Sequence, residues 1–212
     1  MKKKIIITSG PTNERIDSVM KITNMSTGAL GCVFAETFLE EKEDEIEKIF
    51  FISTKMSYKP RIKSQKIEYV IIESTQDLIN ALKKIFNENK IDIIIHSAAV
   101  GDYVGKYLIR AEDIVDEIWE TIQNTPTSKI TKERLMEIFE NPHLIADNSG
   151  KMSSYQPHLM TMFTLTPKVI GMIKKLEPNV KLVGFKLLDG VSKENLLEVA
   201  TKLREKNNAD YI

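Results

Sequence analysis

The sequence predicts a doubly wound α/β fold, with a mainly parallel sheet, helices on both of its faces and a helical insertion. Three observations lead there. Short isoleucine-rich runs, apolar at consecutive positions, recur along the chain, as strands do when a sheet is covered on both sides. Segments of helical period separate these runs, which gives the order βαβα. One stretch, 104–150, breaks the alternation with helical patterning alone.

The elements follow in order. Residues 4–8 form the first strand, and 28–41 a helix with Leu30, Val33, Phe34, Phe38 and Leu39 at helical spacing. Residues 48–53 and 68–72 are the next two strands. The helix 76–86 carries Leu78, Ile79, Leu82, Ile85 and Phe86 behind a Ser74-x-x-Asp77 capping box. Residues 91–96 are the fourth strand. In the insertion, Ile114, Val115, Ile118, Trp119 and Ile122 mark one amphipathic stretch, and Leu135, Met136 and Phe139 a second. The turn cluster Asn124-Thr125-Pro126-Thr127-Ser128 separates them. We read 104–150 as part lid, part packing. Residues 159–165 are a fifth strand, and the helix 167–176 starts with Thr166 as N-cap and Pro167 at its first position. Residues 181–187 form a sixth strand, 193–206 a helix capped by Ser192, and 209–212 begin one more strand. The whole of 1–212 is expected to be one domain.

Composition narrows the class. The chain has 212 residues, 30 basic and 30 acidic, with 42% hydrophobic and 28% charged residues. Such a chain can bury a large core without a disulfide or metal. Charge balance argues against nucleic acid, whose partners usually carry a basic excess. The lone Cys32 can form neither an internal disulfide nor a zinc cluster. No apolar run reaches the roughly 18 residues of a membrane-spanning helix. Met1-Lys2-Lys3-Lys4 looks like the start of a signal peptide, but only Ile5-Ile6-Ile7 follows before Thr8-Ser9-Gly10. The expectation is a cytoplasmic globular protein without a membrane anchor. His96, His143 and His158 have no metal-ligand spacing, so no metal site is read; His96 is expected to be a hydrogen-bonded core histidine at a strand end.

In an open parallel sheet, ligands bind beyond the carboxyl ends of the strands. There the sequence places Ser9-Gly10-Pro11-Thr12, Ser97-Ala98-Ala99-Val100-Gly101-Asp102-Tyr103, Thr164-Leu165-Thr166-Pro167-Lys168 and Gly184-Phe185-Lys186. Small residues and hydroxyls at that edge suit phosphate. Asn24-Met25-Ser26-Thr27-Gly28-Ala29-Leu30-Gly31 enters a helix. It reads either as an anion cradle, with glycines admitting the phosphate to free N–H groups, or as an ordinary helix start with close-packing glycines. It is not the dinucleotide fingerprint, because it lies well beyond the first strand and no acid ends the second, Ser53-Thr54-Lys55. Asp102 is either a ligand-holding carboxylate or a turn aspartate. Lys202 and Lys206 share a helix face, and spacing alone reads them as solvated. Lys151 sits in the polar loop Asn148-Ser149-Gly150-Lys151-Met152-Ser153-Ser154, suited to delivering a lysine to a phosphate but also to an ordinary loop.

The ordered set Thr8-Ser9-Gly10-Pro11-Thr12, Ile16-Asp17-Ser18-Val19, Ile22-Thr23-Asn24 and Ser26-Thr27-Gly28-x-x-Gly31 resembles phosphopantothenate–cysteine ligase. Ala98-Ala99-Val100-Gly101-Asp102-Tyr103, Lys151-Met152-Ser153-Ser154, Thr166-Pro167-Lys168-Val169-Ile170, Val183-Gly184-Phe185-Lys186-Leu187-Leu188 and Lys202 through Lys206-Asn207 continue the resemblance. It covers 1–103 and 151–212. The form resembled is the stand-alone bacterial one, without the flavin-dependent decarboxylase domain fused to it in many bacteria, so no flavin is implied. The resemblance implies a Rossmann-like fold and a homodimer with sites near its interface. The implied reaction joins 4′-phosphopantothenate to L-cysteine in coenzyme A synthesis. CTP and Mg²⁺ serve most bacterial members: the carboxylate is first nucleotidylated with loss of pyrophosphate, and the cysteine amine then displaces the nucleoside monophosphate. Matched to the family's motifs, Gly10, Ser26, Gly28, Gly31 and Phe185 contact the nucleotide. Lys202 and Lys206 lie near its phosphates. Asn24, Ala98, Ala99 and Asp102 contact phosphopantothenate or its activated form, and Lys151 belongs to a flexible loop over the site. Asn24 and Lys151 are the implied catalytic residues.

Two departures stand out. Relatives carry an arginine where this chain has Met20, followed by Lys21, and that arginine reaches the partner subunit's substrate. The sequence stops at Ala209-Asp210-Tyr211-Ile212, where relatives continue into a Val-Ala-Asn segment that touches the nucleotide. These departures favour the alternative of a non-catalytic, nucleotide-binding regulatory protein on the same fold. A nicotinamide reductase is disfavoured by the missing fingerprint.

Overall fold

The computed structural model describes residues 2–153 and 155–212; Met1 and Ser154, both named above, lie outside the described residues. The first half runs β1 (Lys3–Ser9), β2 (Asn13–Arg15), β3 (Lys21–Thr23), α1 (Ala29–Lys42), β4 (Ile46–Thr54), β5 (Ile67–Ile72), α2 (Thr75–Glu88) and β6 (Ile93–His96). The second runs β7 (Tyr103–Arg110), α3 (Ala111–Asn124), α4 (Lys132–Glu140), β8 (Leu159–Leu165), α5 (Ile170–Leu176), β9 (Lys181–Gly184) and α6 (Lys193–Asn207). By its internal contacts the chain, expected to be one domain, divides into two compact units.

The first unit comprises Met1–Asn13, Thr23–Asp102 and Pro167–Ile212. Its five-stranded sheet has the order β5-β4-β1-β6-β9, with every neighbouring pair parallel. Alternation along each strand explains the doubly apolar runs. Ile5, Ile7, Ile49, Phe51 and Ile95 face one way and pack with Cys32, Ala35 and Leu39 of α1. Ile6, Phe50, Ile52, Ile94 and Leu182 face the other and pack with Leu78, Ile79, Leu82 and Ile85 of α2 and Ile173 of α5. Each such side chain taken fully from water contributes about 1.5–3 kcal/mol. The capping box forms as expected: Asp77 N donates to Ser74 Oγ at 3.1 Å, and Ser74 N to Asp77 Oδ2 at 2.9 Å. Ser192 caps α6 by accepting from Asn195 N at 3.2 Å. This is a Rossmann-like α/β fold, and the order reverses at β1, between β4 and β6.

The second unit comprises Glu14–Ile22 and Tyr103–Thr166. Here the structure departs from expectation. The stretch read as wholly helical opens with strand β7, which pairs antiparallel with β8, Val104 facing Thr164 and Ile109 facing Met160. Residues 159–165 are therefore not part of the parallel sheet. Their side chains are partly buried or exposed and none is fully buried, alternating except at Thr161 and Met162, as suits a sheet with one covered face. Tyr107, Ile109, Ile114 and Ile138 form this unit's small core, with Leu135, Phe139 and Met162 against it, and Tyr107 Oη donates to Phe139 O.

Smaller differences concern ends. The expected strand over 181–187 stops at Gly184, and only Tyr211 of 209–212 makes a bridge, to Val183. Helix α5 starts at Ile170, with Val169 rather than Thr166 as N-cap.

Candidate active site

The carboxyl ends of β1 and β6 are laced together within the first unit. Ser97 N donates to Thr8 O at 3.1 Å, Ala99 N to Gly10 O at 2.9 Å, and Thr12 N to Ala99 O at 3.3 Å. Thr12 Oγ1 accepts from Gly101 N at 2.8 Å. The two loops thus extend the sheet beyond its strands, and they do so beside the switch point where α/β sheets bind ligands. Asn24 joins this platform: its Nδ2 donates to Ala99 O and Val100 O, each at 3.2 Å. Asn24, Ala98 and Ala99, singled out from sequence, are thereby brought together.

Helix α1 starts at the same edge. Its N-cap, Gly28, has φ 84° and no side-chain cap. Gly10 has φ 76°, and a Cβ there would lie 2.0 Å from Ser57 Oγ, so both conformation and space demand glycine. A Cβ on Gly28 would lie 2.9 Å from Ser9 Oγ, and one on Gly31 2.4 Å from the same atom. Ser9 Oγ donates to Gly28 O at 2.8 Å, which pins the helix start to β1. Of the two readings of this motif, close packing holds for Gly31; at the helix start Thr27 Oγ1 accepts from Ala29 N at 3.3 Å, and Gly28 itself offers no side chain there. Ser26 lies half-buried just ahead.

The remaining predicted residues of this unit are placed as follows. Asp102 forms an ion pair with Lys168 at 2.5 Å, and both side chains are about two-thirds exposed. Phe185 packs its ring 5.7 Å from that of Phe34 on α1 and is 40% exposed. Lys202 is exposed on α6 and pairs with Glu198, one turn away; Lys206 is exposed on the same helix. His96 is buried, its Nδ1 2.9 Å from Thr8 Oγ1, and desolvation lowers its pKa to about 4.

Lys151 belongs to the second unit. It lines a polar cavity of about 330 Å³ with Arg110, Asp113, Asp147, Ser153 and Gln156. Its loop is tethered: Asn148 Nδ2 donates to Ile16 O at 2.8 Å, Ser18 N to Gly150 O at 3.4 Å, and Met152 N to Asp17 Oδ2 at 3.0 Å. The N–H groups of Met152, Met20 and Val19, in that order of effect, hold the Asp17 carboxyl below the usual carboxylate range. Among the described residues no group of three or more His, Cys, Asp or Glu could hold a metal ion, and no helix is long and apolar enough to cross a membrane.

Sequence reasoning set Ser9 and Thr12 at the ligand edge without individual roles, and gave none to Ser57 or Lys59. Lys59 Nζ donates to Thr54 O at 2.8 Å and Ser57 O at 2.9 Å, which shapes the loop against Gly10. A hydroxyl bonded to main chain leaves no periodic signal; the Ser9-Gly10-Pro11-Thr12 run at a strand end was the available cue.

Known proteins resemble this chain throughout. A family model described as the DNA/pantothenate metabolism flavoprotein C-terminal domain matches residues 1–117. The coenzyme A biosynthesis bifunctional protein CoaBC of Thermococcus kodakarensis is 28% identical over 210 residues, which cover 99% of this chain and 40% of that protein. CoaBC of Bacillus subtilis is 32% identical over 105 residues, covering 49% of this chain and 24% of that protein. The crystal structure of the DNA/pantothenate metabolism flavoprotein from Streptococcus pneumoniae aligns with a TM-score of 0.73 and 32% identity over 98% of this chain and 80% of that one. The chain thus spans at most about 40% of the length of these two curated relatives. Matched by the model over more than half its length, the chain belongs to the DNA/pantothenate metabolism flavoprotein C-terminal domain family.

Proposed function

We propose that this chain is a phosphopantothenate–cysteine ligase acting in coenzyme A synthesis as a homodimer, with the whole of 1–212 serving as one ligase domain and CTP as the activating nucleotide. The observation that carries the reading is the edge at the switch point: a helix start at Gly28, whose N-cap has no side chain, beside Gly10, and the Asn24 amide clamped on Ala99 and Val100. The coenzyme A biosynthesis named for the CoaBC relatives agrees with it.

In this reading a phosphopantothenate carboxylate oxygen attacks the α-phosphorus of CTP, and pyrophosphate leaves. The cysteine amine then attacks the acyl carbonyl, loses a proton, and expels CMP. Gly10, Ser26, Gly28 and Gly31 bring backbone close to the nucleotide, and Phe185 offers an exposed ring beside it. Lys202 and Lys206 supply positive charge toward the phosphates, and Lys202 exchanges Glu198 for that role. Asn24, Ala98, Ala99 and Asp102 hold phosphopantothenate, and Lys151 reaches the reacting phosphate. Mg²⁺, when bound with the nucleotide, would neutralise charge on its phosphates.

A pyrophosphate-release assay with CTP or ATP, each substrate omitted in turn, tests this. Release that requires phosphopantothenate and Mg²⁺, with CTP preferred, is expected, and an acyl cytidylate should accumulate without cysteine. Nucleotide binding without pyrophosphate release would overturn it in favour of a regulatory protein, the reading that the uncharged Met20 favours.

A further inference from the structure

Asp17 is 3% exposed and accepts three main-chain hydrogen bonds, two from its own turn and one from a residue 135 positions away. Its Oδ1 takes Val19 N at 2.7 Å and Met20 N at 2.6 Å; its Oδ2 takes Met152 N at 3.0 Å. Ile16 N and Asp17 N both donate to Met20 O, at 2.9 and 3.3 Å, so residues 16–20 form a closed turn around this carboxylate. On the other side, Asn148 Nδ2 and Gly150 O reach the same turn at Ile16 and Ser18. The Lys151 loop, expected to be free, is braced on the turn at three points. One carboxylate oxygen bonds the residue next to Lys151, and the other bonds Met20, which precedes Lys21. Charged acceptors make the stronger main-chain bonds, and an amide or carboxylic acid at this place cannot keep every one of these acceptors.

We infer that Asp17 is a positioning residue for the ligase reaction: its carboxylate latches the Lys151 loop onto the turn that carries Met20 and Lys21, and so fixes the presentation of Lys151. This rests on the proposed function, in which Lys151 acts on the reacting phosphate. The role differs from plain structural support because it passes through a single side chain, and that difference can be measured. Asp17 touches no substrate in this role.

The experiment is a double-mutant cycle on the full chain, read by pyrophosphate release and by amide hydrogen exchange. Asp17→Asn should lower kcat about tenfold or more, the scale of one lost charge-assisted hydrogen bond, with the KM for CTP little changed. In a Lys151→Ala background, Asp17→Asn should lower kcat no further, because the latch acts through Lys151. Asp17→Glu should restore part of the rate. Exchange at Met152 N–H should rise in Asp17→Asn while the central sheet stays protected. Additive losses in the cycle, or unchanged exchange at Met152, would overturn the latch. If wild-type protein releases no pyrophosphate at all, the ligase reading fails instead, and the exchange measurement still decides whether the latch exists. Should Asp17→Asn fold poorly, Asp17→Glu decides: its longer arm should leave exchange at Met152 above wild type, and a lowered kcat with wild-type exchange there would count against the latch.

Discussion

The Asn24 side-chain amide donates to Ala99 O at 3.2 Å across 75 positions of sequence and so ties the segment before α1 to the loop after β6. Asn24→Asp replaces the donor with a carboxylate facing two carbonyl oxygens, which repel it. Product formation should fall about tenfold or more, because the tie that holds the two loops of the substrate edge together becomes a repulsion. Rapid quench should show the activated intermediate persisting without product. Normal turnover in this variant would remove Asn24 from the mechanism.

The Asp102–Lys168 pair separates function from stability. Both partners are about two-thirds exposed, and pairs of this kind contribute less than about 1 kcal/mol to folding. Asp102→Ala should therefore leave the melting temperature within a few degrees of wild type. The KM for phosphopantothenate should nevertheless rise at least severalfold. A fall in stability with unchanged kinetics would make the pair a structural clasp and take Asp102 out of the substrate site.

Gly31 is set against Ser9, whose Oγ and Cβ would lie 2.4 and 2.5 Å from an added Cβ. The neighbour is a short side chain already bonded to Gly28 O, so it has little room to retreat. Gly31→Ala should destabilise by roughly 1–3 kcal/mol through overpacking. Ser9→Gly in the same chain should recover part of that loss, because it removes the clashing atoms. Urea unfolding of the two single variants and the double variant measures it, and strictly additive losses would contradict the steric account.

Much of the first unit was legible because its causes are local. Ile5-Ile6-Ile7 announces a strand covered on both sides, and Ser74 with Asp77 announces a helix start, whatever the rest of the chain does. The antiparallel pairing of β7 with β8 was not legible. Its register joins Tyr107 to Met162 across 55 positions, and β7 interrupts its apolar pattern with Gly105 and Lys106. The site divides in the same way. Glycines and small residues after strands pointed to the edge where they are found. Asp17 carries its bonds to main-chain N–H groups, which every non-proline residue possesses, so its sequence context could not reveal Met152 as a partner. The polar loop around Lys151 looked mobile because nothing in its own composition shows the tethers to Ile16 and Ser18.

His96 makes folding stability depend on pH. The imidazole is buried at the end of β6, bonded to Thr8 Oγ1, and protonates in the folded protein only near pH 4, against about 6.5 in the unfolded chain. Between these values the unfolded state binds the extra proton, so stability falls as the pH falls. The effect is absent above the unfolded value and complete below the folded one. From pH 7 to pH 5 this site alone should remove about 2 kcal/mol. His96→Gln keeps a polar side chain near Thr8 but cannot titrate, so it should be less stable at pH 7 and lose less between pH 7 and pH 5. Urea unfolding of both proteins at the two pH values isolates the contribution, because the other titrating groups are shared. An equal stability difference between them at both pH values would mean that the His96 imidazole protonates normally in the folded state, and that its burial beside Thr8 does not keep it neutral.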